Sequence, residues 1–79
     1  MPAQAHKPRI AVSQAAILRS DGGPDVPCTI VDVSADGFRL KVPGAVRVGC
    51  DYTLQISDRE HSVAIRWASL GEVGGQFLD

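Results

Sequence analysis

Val26-Pro27-Cys28-Thr29-Ile30-Val31-Asp32-Val33-Ser34-Ala35-Asp36-Gly37-Phe38-Arg39-Leu40-Lys41-Val42 reads as two strands joined by a tight turn. In the first strand, Val26 to Val33, simple alternation puts Cys28, Ile30 and Asp32 on one face and Thr29, Val31 and Val33 on the other. Ser34-Ala35-Asp36-Gly37 follows, and Asp-Gly between apolar runs is a strong hairpin signal, because Gly tolerates a positive φ. From Phe38 to Val42 the alternation resumes. Phe38, Leu40 and Val42 point inward, while Arg39 and Lys41 point outward as an ordinary solvated strand face. Pro43-Gly44 ends the run.

Working outward from this hairpin gives more strands. Ile10 to Arg19 lacks a clear apolar stripe; Ala11, Ala15 and Ala16 suit a helix, but a strand over Val12 to Arg19 fits better. It ends at the turn residues Ser20-Asp21-Gly22-Gly23-Pro24. Downstream, Val46, Val48 and Gly49 lead into Tyr52, Leu54 and Ile56, and Ser57-Asp58-Arg59-Glu60 turns the chain. Val63, Ile65 and Trp67 then alternate with Ala64, Arg66 and Ala68. This phase favours core packing for Trp67 over a stacking platform and makes Arg66 a surface charge. After a turn at Ser69 to Gly71, the last strand runs Val73 to Leu78, and its Gly74-Gly75 predicts a bulge or a close backbone approach. About six short strands with turns between them predict an all-β fold, a small antiparallel barrel. Closure would also hide its sheet edges.

Composition fits one domain and limits its partners. The 79 residues suffice for a single thin core of Val, Ile, Leu and Ala, since only 5% are aromatic. The net charge of -1 argues against a DNA or RNA binder, which usually carries a marked basic excess. The charge is uneven, however. Residues 1–19 hold no acid, while Lys7, Arg9 and Arg19 are basic. Residues 1–9, with Pro2 and Pro8, are expected to be a flexible basic tail, and 10–79 the barrel. No apolar run approaches the roughly 18 residues of a membrane span, and the start has no signal-peptide core. The expected setting is therefore the cytoplasm, without membrane insertion, and Cys28 and Cys50 are expected to be reduced and partly buried. A monomer or weak homodimer is expected.

Catalytic chemistry is hard to find. His6, His61, Cys28 and Cys50 show no metal-ligand spacing, no serine stands in a nucleophile elbow, and there is no phosphate-cradling glycine loop. The sequence reads as a binding module, not an enzyme, with no metal and no cofactor.

Asp32-Val33-Ser34-Ala35-Asp36-Gly37 resembles the D/N-x-S-x-x-G signature of PilZ domains. Cys28 to Val31 resembles the strand before it, Val48-Gly49 and Tyr52 to Ile56 the next strand entry, and Ile65-Arg66-Trp67 with Gly74-Gly75-Gln76-Phe77 the close of the barrel. The resemblance covers Lys7 to Leu78 and implies a six-stranded antiparallel split-type β-barrel. It implies a bacterial receptor for the second messenger cyclic di-GMP, which would relay messenger level to an effector protein. The implied ligand-binding residues are Arg9, Asp32, Ser34 and Gly37, with Lys7, His6 and Trp67 in second place. Arg binds guanine or phosphate with two parallel donors, Asp32 accepts from a guanine N–H edge, and Ser34 hydrogen-bonds through its hydroxyl. Asp32, Ser34 and Gly37 equally suit a plain turn, and His6 and Lys7 a solvated tail. The resemblance departs at one place. The family's tail motif is R-x-x-x-R, and aligned on Arg9 its first position here is Ala5. The alternative is thus a degenerate PilZ domain that acts through protein contacts alone.

Overall fold

The computed structural model describes residues 10–79. The expected tail, with its candidates His6, Lys7 and Arg9, lies outside the described residues. Six strands follow in order: β1 (Ile10–Ser20), β2 (Val26–Val33), β3 (Gly37–Lys41), β4 (Gly49–Ile56), β5 (Arg59–Ser69) and β6 (Glu72–Phe77). Every neighbouring pair is antiparallel, and the sheet closes in the order β1-β2-β3-β6-β5-β4. Because β3 pairs with β6, residues 42–48 carry the chain past the β6–β5 pair to reach β4. Val42 and Val46 turn into the core from that connection, and the Val42 amide donates to the Gly71 carbonyl at 3.0 Å.

The interior is aliphatic around one phenylalanine pair. Leu18, Phe38, Leu40, Leu54, Val63, Ile65 and Val73 are fully buried, and Phe38 meets Phe77 edge-to-face at 5.0 Å between ring centres. Inward positions follow the two-residue period within each strand segment, as the alternation predicts. The period breaks at four β-bulges, each of which adds a residue to one strand and reverses the facing beyond it.

These bulges explain most differences from the sequence reading. β1 begins at Ile10, ahead of the expected Val12, and slips register between Ala11 and Gln14, which is why no single stripe runs through it. In β2, Ile30 pairs with Leu40 but Asp32 pairs with Arg39, so Val31 is the extra residue against β3. Paired residues share a face, so Asp32 joins the outward Arg39 and Val33 returns inward opposite Phe38. The expected grouping of Asp32 with Cys28 and Ile30 is therefore wrong. In β5, Ile65 pairs with Gly75 but Trp67 pairs with Gly74, leaving Arg66 as the extra residue. Trp67 accordingly leaves the core phase and stands 44% exposed, contrary to the expected core packing.

The turns also differ in detail. The expected four-residue turn at Ser57 is a two-residue hairpin, because Ile56 already pairs with Arg59. Ser57 has a φ of 56°, which a non-glycine residue adopts at a conformational cost. The last strand starts at Glu72 and ends at Phe77, one residue before the expected bounds at each end. Both cysteines are free thiols. Cys28 is buried, but Cys50 is exposed instead of partly buried.

Candidate ligand-binding site

The bulges at Val31 and Arg66 bring four residues into one cross-strand row on the outer wall. Register links Asp32 (β2) to Arg39 (β3), Arg39 to Gly74 (β6), and Gly74 to Trp67 (β5). The Arg39 guanidinium donates through Nη2 to Asp32 Oδ2 at 2.6 Å, and its Nε lies 4.0 Å from Glu72 Oε2. The Asp32 side chain is 8% exposed and that of Arg39 45%, so the carboxylate sits low in the wall with the guanidinium above it.

Gly74 serves the tryptophan. A Cβ built there would overlap the pyrrole edge of the Trp67 indole, so the ring lies across β6 toward β3. Gly75, one residue on, faces inward, where a Cβ would strike Phe38 and the Ala64 carbonyl. The Gly74-Gly75 pair thus marks two close approaches on opposite faces of β6. The bulge lies on the partner strand β5, between the residues that pair with them. Arg66, displaced by that bulge, donates through Nε to Gln76 Oε1 at 2.7 Å on the same outer surface.

The turn at the end of this row is built by Ser34 and Gly37. The Ser34 amide donates to the Gly37 carbonyl at 2.8 Å, and the Gly37 amide donates to Ser34 Oγ at 3.3 Å. The Ser34 oxygen is thereby occupied as an acceptor, but its O–H proton can still donate to a ligand. Turn building and ligand contact are compatible in one hydroxyl. Gly37 does not have the expected positive φ; only Gly22 and Gly71 do among the glycines. It is needed because a Cβ would overlap the Gly75 carbonyl oxygen.

Of the expected site residues, Asp32, Ser34, Gly37 and Trp67 thus fall on one connected stretch of wall. Arg39 was expected to be only a solvated charge, and here it is the partner of Asp32. Hairpin counting could have found it: if Val33 faces Phe38 across the turn, Asp32 faces Arg39, an opposite-charge pair. Elsewhere, a polar concavity of about 510 Å³ on the β1–β4–β5 wall is lined by Arg19, Asp51, Glu60 and neighbours. Its Arg19 is held by Asp25 and Glu60, each at 3.5 Å. Among the described residues no group of three or more His, Cys, Asp or Glu side chains could hold a metal, and no helix is long and apolar enough to cross a membrane. Burial raises the Cys28 thiol pKa, with a backbone hydrogen bond at Leu18 partly opposing it.

A closed antiparallel barrel whose outer wall joins an Asp-x-Ser-x-x-Gly turn to a glycine-seated tryptophan belongs to the small β-barrel binding modules. The PilZ domain family model matches residues 4–79, essentially the whole sequence. The chain belongs to the PilZ domain family, a family of binding and adaptor domains. No curated protein matches it.

Proposed function

We propose that this barrel is a cytoplasmic bacterial receptor for cyclic di-GMP that relays messenger level to an effector protein, without catalysing a reaction. The observation that supports it best is the continuous row of Asp32, Arg39, Gly74 and Trp67 beside the Ser34–Gly37 turn. A cyclic dinucleotide offers guanine edges, flat faces and phosphates. The wall offers a carboxylate, a guanidinium, a half-exposed indole and a hydroxyl. Arg9, Lys7 and His6 would add cationic contacts from the sequence before β1.

Ala5 favours a second reading, an adaptor that works by protein contacts alone. Losing one bidentate arginine weakens binding by about 1.5–3 kcal/mol, roughly 10- to 100-fold. Calorimetric titration of the full chain with cyclic di-GMP separates the two. The receptor reading expects heat at protein and ligand concentrations of roughly 100 μM, equivalent to about −5.5 kcal/mol. It also expects weaker binding in Arg9→Ala and tighter binding in Ala5→Arg. No heat, together with unchanged amide NMR shifts on adding nucleotide, sinks it in favour of the adaptor.

A further inference from the structure

The β5–β6 turn carries the most exposed large apolar side chain among the described residues. Leu70 at its tip is 98% exposed, Trp67 just before it on β5 is 44% exposed, and Val48, next to the Gly49 that pairs with Ile65, is 60% exposed. The β4–β5 ladder ends at that Gly49–Ile65 pair, whereas β5 and β6 stay paired as far as Ser69–Glu72. Residues 66–72 therefore reach past β4 as a two-stranded arm. Cations stand around it. Arg66 precedes Trp67, Arg47 precedes Val48, and Lys41 pairs in register with Glu72. Among the described residues these three form no ion pair, while Arg19 and Arg39 are each held by carboxylates. Glu72, the acid on the arm, leans toward Arg39 at 4.0 Å. The acids Asp21, Asp25 and Asp51 belong to the β1–β2 turn and β4, and β1 lies across the closed ring from β6. The net charge of -1 thus hides a cationic side.

An almost fully exposed side chain on a turn is a prong and lines no groove. A protein partner would have to supply a fitted pocket for it, whereas a bilayer interface accepts a convex apolar point wherever it lands. Tryptophan settles at headgroup level, leucine reaches the acyl boundary, and long Lys and Arg stems carry their charges to the lipid phosphates. Cations without ion-pair partners complement anionic headgroups, and each strengthens binding to such a surface about fivefold. We propose that the β5–β6 arm is a peripheral membrane-docking tip: Leu70 and Trp67 enter the interface of an anionic bilayer, Lys41, Arg47 and Arg66 meet its phosphates, and the barrel stays on the surface. The acids of β4 and the β1–β2 turn are repelled by the same headgroups, so the domain approaches with its β5–β6 side first. Such docking goes beyond the receptor reading and neither requires nor excludes cyclic di-GMP.

Trp67 is the only tryptophan in the chain, so its emission reads the tip directly. The full chain is titrated with mixed vesicles of phosphatidylethanolamine and phosphatidylglycerol, and with vesicles of phosphatidylcholine alone. Emission is expected to move to the blue and saturate on the anionic vesicles, with the protein sedimenting alongside them. Both effects should fade on phosphatidylcholine and at high salt. Bromine carried on the lipid acyl chains should quench the bound signal. Leu70→Asp is expected to bind the anionic vesicles about 10- to 100-fold more weakly. Arg47→Gln and Lys41→Gln should each weaken binding about fivefold. All three side chains are exposed, so melting curves should stay near the wild type. Arg59→Gln removes a cation at the other end of β5 and should bind like the wild type. Unmoved emission without sedimentation on the anionic vesicles overturns the proposal. So does equal binding to phosphatidylcholine, full binding by Leu70→Asp, or a loss in Arg59→Gln as large as in Arg47→Gln. Each of those results leaves the receptor reading to stand or fall on its own nucleotide titration.

Discussion

Gly37→Ala tests whether the signature glycine serves the turn or the sheet. The φ of Gly37 is not positive, so an alanine there meets no left-handed strain. Its Cβ, however, would overlap the Gly75 carbonyl oxygen on the neighbouring strand. Ordinary contact needs about 3.5 Å, so β3 and β6 must part by more than about 1 Å. Overpacking of this kind destabilises by about 1–3 kcal/mol, and each ladder hydrogen bond weakened adds about 0.5–1.5. The pair Gly37–Gln76 opens a β3–β6 ladder that runs to Lys41–Glu72, so the strain falls where β3 is held to the second half of the chain. A loss of about 3 kcal/mol follows, which lowers the melting temperature of so small a domain by about 12–24 °C. Thermal and urea unfolding followed by circular dichroism measure this directly. Gly37→Asn distinguishes the two roles. Asparagine tolerates the left-handed region, so a turn role would spare it, whereas the clash predicts damage at least as large as alanine's. Gly44→Ala is the control, because nothing lies within 4 Å of its Cβ. If Gly37→Ala melts within about 2 °C of the wild type, the close-approach argument is wrong.

Two other measurements probe the barrel. Ser57→Gly relieves the positive φ at the β4–β5 turn and, after the entropy cost of glycine, should raise stability by about 0.5 kcal/mol, or about 2–4 °C; a melting temperature that falls instead contradicts it. Thiol reagents at neutral pH should label Cys50 quickly and Cys28 only on unfolding, and equal labelling rates would show that β2 is open. Because the Cys28 pKa is raised in the folded state, its contribution is fully present below the ordinary thiol value of about 8.5. It is lost as pH climbs past that value, since the unfolded thiol ionises first. Stability should therefore decline on the alkaline side less steeply in Cys28→Ala than in the wild type.

The hairpin from Val26 to Val42 was readable because its residues agree at every level: β-branched strands, turn chemistry, and a glycine before the returning run. The same holds for Phe38, Leu40, Leu54, Val63 and Ile65, which lie inside as alternation says. Asp32 and Trp67 were misplaced for one shared reason. A bulge is a change in pairing, not in composition, and neither Val31 nor Arg66 is a residue type that announces one. Gly37 was recognised as necessary but for the wrong cause, since a turn glycine and a close-approach glycine look alike until the opposite strand is in place. Arg39 was hidden by its ordinary outward position, which the alternation had right and the charge partner had not revealed.

The two bulges that shape the outer row behave like frameshifts in a code read two residues at a time. Every side chain past Val31 on β2, and past Arg66 on β5, is read in the opposite phase relative to its bulged neighbour. Deleting either residue would restore plain alternation, with Ile30 inward and Asp32 outward opposite Arg39, or Ile65 inward and Trp67 outward opposite Gly74, so the outer row would keep its facing. The facing of the outer row is therefore set by the pairs on either side of each extra residue, and neither the identity nor the presence of Val31 or Arg66 is needed to hold it.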